Sequence, residues 1–294
     1  MLTRQKAVLA LLDQVGGTLS RIAFVKMVFL LRHETQAGEQ TAFYDFVPYK
    51  YGPFSFTLYH ELGSLETSGH VSLDSASISL SSELRGEVRV NTASLPSSLK
   101  SAVVSVVERY GSMDRDALLR DVYSKYPWFA VNSELDGVLA GAGMELPQAP
   151  LAVYTVGYEG KSVDVFFDGL LREGIACIAD VRKTPVSRKY GFARSRLEET
   201  AGRLGMEYRH FPCLGVPREY RKDLGSCESY QRLWDVYDRV VLVEQSEAVD
   251  QLSERVKVTP TAIMCMEADP MCCHRSRLAA EVGRRTKMEV VSLS

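Results

Sequence analysis

Apolar residues recur at helical spacing near the start of the chain and predict a mainly helical N-terminal region. The stripe that contains Val8, Leu12 and Val15 predicts the first helix, and Thr18 or Ser20 can cap the second. The predicted elements are helices over 4–15, 22–32 and 53–65, the third opened by Pro53, and strands over 70–73 and 77–90. Helices followed by a β-hairpin are typical of a winged helix-turn-helix, which usually places one helix in a DNA groove.

This winged-helix-like region is predicted to span residues 1–95. Its candidate DNA contacts are Arg21, Lys26, Lys50 and Tyr51. The region is not strongly basic, so dimerisation through the same module is the alternative. Two further helices predict a helical extension and linker over 96–148, and the small-residue-rich stretch 137–150 is the predicted domain boundary.

The pattern changes after this boundary, where apolar strand-like runs alternate with amphipathic helices. The predicted strands are 152–156, 175–181, 207–211, 261–265 and 289–293, and the predicted helices are 162–172, 196–204, 229–243, 247–256 and 275–284. Such alternation predicts an α/β domain over 149–294, in which a parallel sheet carries helices on both faces. The loops that follow parallel strands meet at one edge of the sheet, where ligand sites are built.

Composition narrows the class of protein. The chain has 294 residues, of which 46% are hydrophobic, so it can build two cores. Its net charge of -2 gives no global signature of a nucleic-acid binder, and any basic surface must be local. All six cysteines lie in the second half, and neither a signal-peptide-like start nor a membrane-length apolar run is found. We therefore expect a reduced, cytoplasmic protein without membrane contact, in which oligomerisation is open.

Four motifs after the predicted strands resemble a known family. They are Thr155-Val-Gly-Tyr-Glu-Gly-Lys-Ser162, Asp180-Val-Arg182 with Pro185 and Ser187-Arg188, Tyr208 with Leu214-Gly215, and Cys265-x-Glu267-x-Asp269-Pro270-x-x-Cys273-His274-Arg275. Together they span nearly all of residues 151–294, which are similar to the bacterial family called domain of unknown function 488. The resemblance implies a shared fold and site but no particular reaction. Cys272 departs from the family pattern, and the N-terminal half more loosely resembles winged-helix modules fused to such domains.

Carboxylates at the predicted strand ends favour chemistry at a glycosidic bond. The predicted catalytic residues are Glu159, Asp180, Glu267, His274, Tyr158 and Tyr208. Breaking a glycosidic bond requires a carboxylate that stabilises an oxocarbenium-like centre or activates water, and an acid that protonates the leaving group. The alternative for each residue is an ion pair that holds a loop, such as Asp180 with Arg182.

The thiols give a second hypothesis, in which a cysteine transfers sulfur or phosphate. Cys273 lies beside His274 and Arg275 at a predicted helix start, a setting that favours the thiolate. Buried cysteines are often simply small hydrophobic residues. Cys265, Cys273 and His274 are also acceptable zinc ligands, but there is no Cys-x-x-Cys pair and adjacent residues seldom bind one ion. We therefore expect no metal and no cofactor.

A basic stretch of the sequence indicates an anionic ligand. Residues 182–196 contain no acidic residue and combine arginines and lysines with Tyr190 and Phe192; Arg218, Arg221 and Lys222 follow. This favours DNA, another nucleic acid or a nucleotide, although a solvated basic loop is the alternative. The predicted substrate-binding residues are Arg182, Ser187, Arg188, Cys265, Cys273 and Arg275. We predict a DNA- or nucleotide-directed hydrolase of the glycosylase type, acting at a base or its N-glycosidic bond; the alternatives are the thiol enzyme and a non-catalytic DNA-binding regulator.

Overall fold

The structure is a computed structural model that describes residues 1–40, 42–135, 144–220 and 227–293. The chain divides into two compact units, Met1–Glu145 and Leu146–Ser294. Residues 136–143 of the predicted linker, and Arg221 and Lys222 of the predicted basic region, lie outside the described residues. The division into three segments with bounds at 95 and 148 stays a prediction.

The N-terminal unit is mainly helical. Its helices are α1 (Thr3–Gln14), α2 (Arg21–His33), α3 (Gln36–Gln40), α4 (Phe56–Thr67), α5 (Arg85–Ala93), α6 (Ser97–Tyr110) and α7 (Arg115–Lys125), and its strands are β1 (Thr18–Ser20), β2 (Val47–Tyr49), β3 (Gly52–Phe54), β4 (Val71–Leu73) and β5 (Ser77–Leu80). β5 pairs antiparallel with both β1 and β4, and β2 pairs with β3. Residues of α1, α2, α6 and α7 share one core, which includes Leu9, Phe29, Val103 and Leu119. The winged-helix interpretation stays a prediction.

Two helix starts in this unit are set by serine caps. Ser20 accepts a hydrogen bond from the backbone N–H of Ala23 at 3.2 Å and begins α2, as the sequence predicted. The prediction that Pro53 opens a helix is wrong, because Pro53 lies in β3 and Ser55 caps α4 instead.

The predicted strand over 77–90 is correct only as far as Leu80. Residues 85–93 form α5, in which Arg85 and Arg89 lie one turn apart and both donate to Asp13 of α1. The helix thus places both arginines on the side that faces Asp13, a long-range contact that the weak apolar pattern of the segment does not indicate.

The C-terminal unit is α/β, which confirms the predicted fold class. Its strands are β6 (Val153–Gly157), β7 (Cys177–Asp180), β8 (Glu207–His210), β9 (Thr261–Cys265) and β10 (Val290–Leu293), and its helices are α8 (Val163–Arg172), α9 (Arg194–Arg203), α10 (Cys227–Val236), α11 (Leu242–Glu244), α12 (Ser246–Val256) and α13 (His274–Thr286). A π-helical turn over Tyr237–Val241 joins α10 to α11. Among the described residues, no helix combines the length and apolar character needed to cross a bilayer.

The five strands form one parallel sheet in the order β10-β6-β9-β7-β8, flanked by helices. β6, β9 and β7 are adjacent, so the loops after Gly157, Cys265 and Asp180 begin side by side at the carboxyl edge. β9 is buried along its whole length, as its continuous apolar run predicted. The sheet therefore brings together three of the loops that carry the predicted site residues.

Lys26 was a candidate DNA contact, but the structure buries it. Its side chain is 2% exposed, and Nζ donates to the carbonyl oxygen of Pro53 at 3.1 Å. Burial lowers the pKa of Lys26 to about 7. Between about pH 7 and 10.5, the unfolded chain therefore holds a proton that the native state releases, and stability should rise with pH across this window.

Lys26→Met is expected to stabilise the N-terminal unit at pH 7 and to flatten this rise, because it removes the buried ammonium. The matched control is Lys100→Met, since exposed Lys100 also donates to a backbone carbonyl, that of Ala93. Urea unfolding can be followed by the fluorescence of Trp128 in a Trp234→Phe background, which leaves one tryptophan in this unit. An unchanged pH slope in Lys26→Met would show that Lys26 keeps an ordinary pKa.

Candidate active site

A pocket of about 310 Å³ opens at the carboxyl edge of the parallel sheet. The residues that line it are Tyr158, Arg182, Lys183, Thr184, Val186, Val216, Arg218, Cys265, Met266 and Glu267. They come from the loops after all of β6, β7, β8 and β9, so the four predicted loops do meet. A larger hollow of about 570 Å³ lies beside α13, but its charges are already paired, as in Arg277 with Asp238 and Arg285 with Glu281.

A buried ion pair supports one wall of this pocket, to which Arg182 contributes. Asp180 is fully buried, and its carboxylate accepts hydrogen bonds from Nε and Nη2 of Arg182 at 2.8 and 2.6 Å. Tyr208 donates to the same carboxylate at 2.7 Å, and the backbone N–H of Arg182 donates to it at 3.1 Å. Burial and the charge of Asp180 raise the pKa of Tyr208, so Tyr208 remains a neutral donor. Asp180 thus holds Arg182 and does not line the pocket.

Arg182 is fixed on its other side by aromatic residues. Its Nη1 donates to the hydroxyl of Tyr158 at 3.1 Å and to the carbonyl of Phe192 at 2.9 Å. The rings of Tyr158 and Phe192 stack with centroids 4.2 Å apart. Four of the five guanidinium N–H groups are therefore used within the described residues, and one on Nη2 remains for a ligand.

Two thiols, a carboxylate and an imidazole meet at the end of β9, where Cys265 and Glu267 line the pocket. Sγ of Cys265 and Sγ of Cys273 donate to the same oxygen of Glu267 at 3.2 and 3.1 Å. Nδ1 of His274 lies 3.7 Å from Sγ of Cys265. Both thiols and the imidazole are buried, whereas Glu267 is half-buried and lines the pocket.

The local fold explains how these groups meet. Cys265 ends β9, and the chain then makes a short 3-10 turn over Pro270–Cys272, which Asp269 caps through the N–H of Met271. Cys273 is extended and His274 begins α13, so the chain returns to the end of β9. The Nε2 atom of His274 lies 3.2 Å from the carbonyl of Val181, which orients the ring towards Cys265.

The two thiols differ in acidity. Burial raises the pKa of Cys273, but hydrogen bonds from Cys265 and His274 outweigh it and lower that pKa to about 6. The hydrogen bond to Cys273, together with burial, raises the pKa of Cys265 well above its ordinary value. Burial raises the pKa of Glu267, but hydrogen bonds from its own backbone N–H and from both thiols outweigh burial, so the pKa of Glu267 lies below its ordinary value. The cluster therefore contains an ionised carboxylate at neutral pH.

Glu159 and Arg275 hold the loop that follows β9. Arg275 is fully buried and donates to the carbonyls of Glu267 and Ala268, the latter at 2.9 Å. Glu159 is exposed, and its carboxylate accepts from the N–H of Ala268 at 2.9 Å. Gly157 allows this approach, because a Cβ there would lie 2.0 Å from the carbonyl oxygen of Glu267. Neither Glu159 nor Arg275 lines the pocket.

The predicted site residues therefore occupy four kinds of position. Those that line the pocket are Tyr158, Arg182, Cys265 and Glu267. Those that support the lining residues from behind are Asp180, Tyr208, Cys273 and His274, and those that hold the loop after β9 are Glu159 and Arg275. Arg188 is exposed, and Ser187 accepts a hydrogen bond from the N–H of Lys189. Sequence reasoning missed His210, whose Nε2 lies 2.9 Å from the carbonyl of Arg182. Its position at the end of β8 was the signal that could have found it.

Asp180→Ala is expected to destabilise the C-terminal unit by about 3–5 kcal/mol, because it leaves the buried charge of Arg182 without its partner. Tyr208→Phe removes one hydrogen bond to the same carboxylate and should cost roughly 1.5–3 kcal/mol. Urea unfolding followed by Trp234 in a Trp128→Phe background compares the two variants. Equal losses would mean that the ion pair carries no extra stability.

Comparison with known proteins identifies one family. The profile of the family described as "Domain of unknown function DUF488" matches residues 162–282. This range contains the loops after β7, β8 and β9, while the Gly157–Gly160 motif lies just before it. A search of the curated proteins finds no match to the chain. Residues 162–282 of the C-terminal unit therefore match the DUF488 family.

Proposed function

We propose that the C-terminal unit is a hydrolase that acts on a nucleotide or nucleic acid, at a base or its N-glycosidic bond. The observation that carries the proposal is the composition of the pocket: Glu267 faces the same space as Arg182, Lys183 and Arg218. Glu267 is the one carboxylate among the described lining residues. A single ionised base beside several cations suits water attack on a phosphate-bearing substrate.

The cations of the pocket are available to an anionic ligand. Lys183 and Arg218 are exposed, and neither takes part in an ion pair within the described residues. Arg182 keeps an N–H on Nη2 beyond its bonds to Asp180, Tyr158 and Phe192. These groups support binding of a phosphate at the mouth of the pocket.

Apolar side chains at the same opening suit a planar base. Val216 is buried in the pocket wall, while Met266 and Val186 are 48% and 78% exposed. Contact with a base would remove the last two from water, which is favourable. Cations beside an apolar surface are the combination that a nucleotide requires.

Glu267 is the group best placed to activate water. Its low pKa keeps it ionised at neutral pH, so it can accept a proton. Asp180 is committed to Arg182, and Glu159 to the loop after β9. We therefore assign Glu267 the role of general base, and Asp180 and Tyr208 the role of positioning Arg182. Delivery to DNA would be the task of the N-terminal unit.

Glu267→Gln is expected to lower kcat by roughly 100- to 10,000-fold with little change in KM, because it removes the base but keeps the shape of the side chain. Glu254→Gln is the matched control, since Glu254 is an exposed glutamate that pairs with Lys257 on another surface. Turnover is measured by mass spectrometry on a panel of nucleotides and modified DNA duplexes. Activity of Glu267→Gln equal to that of Glu254→Gln would refute the assignment.

A thiol-dependent transferase is the second candidate, favoured by the pKa of about 6 for Cys273 and by the position of Cys265 in the pocket wall. In that case Cys265→Ser should abolish turnover, whereas Glu267→Gln should retain most of it. A covalent adduct on Cys265, detected by mass spectrometry of the enzyme during turnover, would decide for this candidate. Retained activity in Cys265→Ser would exclude it.

A further inference from the structure

We propose that Cys265, Cys273 and His274 bind a zinc ion, with Glu267 beside its open coordination position. The ligand atoms of the three residues all lie within 4.8 Å of one another, and all three residues are buried. Among the described residues, these three form the cluster of metal-binding residue types whose ligand atoms lie close enough to hold one ion. The site itself is independent of the proposed function, whereas its use in hydrolysis rests on that function.

The distances fit a tetrahedral ion. With Zn–S bonds of about 2.3 Å and Zn–N bonds of about 2.0–2.1 Å, ligand sulfur and nitrogen atoms lie roughly 3.6 Å apart. Sγ of Cys265 and Nδ1 of His274 are 3.7 Å apart. This pair of ligand atoms therefore stands near the separation that a shared ion requires, and the third, Sγ of Cys273, lies within 4.8 Å of both.

The adjacency of Cys273 and His274 is no obstacle in this fold. Cys273 has extended backbone angles, φ -131° and ψ 135°, and precedes the first turn of α13. Its thiol points to Glu267, while the imidazole of His274 packs against the ring of Tyr237, with centroids 5.5 Å apart. The change from extended to helical backbone thus lets both side chains reach the end of β9.

The orientation of His274 is an independent indication of a metal ligand. Its Nε2 is within hydrogen-bond distance of the carbonyl of Val181, at 3.2 Å, and a carbonyl can only accept. Nε2 therefore carries a proton, and Nδ1 is the ring nitrogen that faces Cys265. Histidine ligands of metals almost always donate their other N–H in this way, which fixes the tautomer.

The donor set selects zinc and a catalytic type of site. Two thiolates and an imidazole suit a soft or borderline ion and do not suit magnesium or calcium. Three protein ligands leave a fourth position for water, and Cys265 and Glu267 both face the pocket. A His/Cys/Cys zinc with a glutamate that is not a ligand also serves enzymes that hydrolyse the exocyclic C–N bond of a base.

The reaction that this site would support is hydrolysis of a C–N bond, with Glu267 carrying one proton from water to the leaving group. The zinc-bound water would give a proton to Glu267, and the oxygen of that water would form a bond to the carbon under attack. The C–N bond would then break, and Glu267 would return the proton to the leaving nitrogen. The substrate class is therefore a base or nucleotide with a hydrolysable C–N bond. No oxidant or further reactant is needed.

The test is the metal content of the full chain, purified without a histidine tag from cells grown with zinc. The wild type is expected to hold one zinc ion per chain by mass spectrometry of the metal. Cys265→Ser, Cys273→Ser and His274→Asn should each weaken zinc binding by more than roughly 100-fold, since even the loss of an outer partner costs 10- to 100-fold. Cys272→Ser is the matched control, because exposed Cys272 lies next to Cys273 and should leave the zinc unchanged.

A measurement on the wild-type protein covers the case in which a ligand variant fails to fold. Zinc is removed with a chelator and returned, and alkylation by iodoacetamide in denaturant-free buffer is mapped residue by residue. Zinc should protect Cys265, which lines the pocket, but leave the labelling of Cys272 unchanged, and cobalt in place of zinc should show sulfur-to-metal charge-transfer absorption. Wild-type protein without stoichiometric zinc, or without this selective protection, overturns the proposal.

Glu267→Gln separates the metal site from the proposed function. If this variant keeps its zinc and loses turnover, both proposals stand. If the wild type lacks zinc while Glu267→Gln loses turnover, the metal site is refuted and the hydrolase remains. If zinc is bound but Glu267→Gln retains full turnover, the metal site stands and the proposed role of Glu267 is refuted.

Discussion

The ion pair between Asp180 and Arg182 is the interaction on which the site depends. Two buried charges are tolerated here because every carboxylate oxygen and most guanidinium N–H groups have partners. Asp180 and Arg182 flank Val181 at the end of β7, so the ion pair between them fixes the backbone of Val181. The carbonyl of Val181 orients His274, and that of Arg182 meets His210. The strand end that the ion pair holds thus contacts groups on β8 and on α13.

The loop after β9 is held by a different device. Arg275 is fully buried and donates to the carbonyls of Glu267 and Ala268, and no ion pair within the described residues engages it. Its charge also contributes, after burial, to lowering the pKa of Lys161. A guanidinium that binds carbonyls fixes the path of the loop without neutralising the region around it. The positive charge of this end of the sheet is therefore partly a by-product of how the loop is held.

The sequence predicted those features that depend on local pattern. The apolar run over 261–265 gave β9 with its bounds, and the alternation of strands and helices gave the parallel sheet. It offered the pairing of Asp180 with Arg182 only as an alternative to catalysis, and it could not reveal that Lys26 is buried, because a charged residue type does not state its exposure. The same limit applies to the thiols. Cys273 and His274 looked unsuited to one ion as neighbours in sequence, and only the turn into α13 brings their donor atoms together.

The strand order also constrains when this unit can fold. β6 is made first, but its two neighbours in the sheet are β9 and β10, which are the last strands to be made. Until then both edges of β6 carry unpaired N–H and C=O groups, which can pair with other chains. During synthesis β6, which is buried along its whole length in the finished sheet, therefore remains unpaired until β9 and β10 are made. The same arrangement that gathers the site from distant loops leaves the nascent chain exposed to aggregation until β10 is in place.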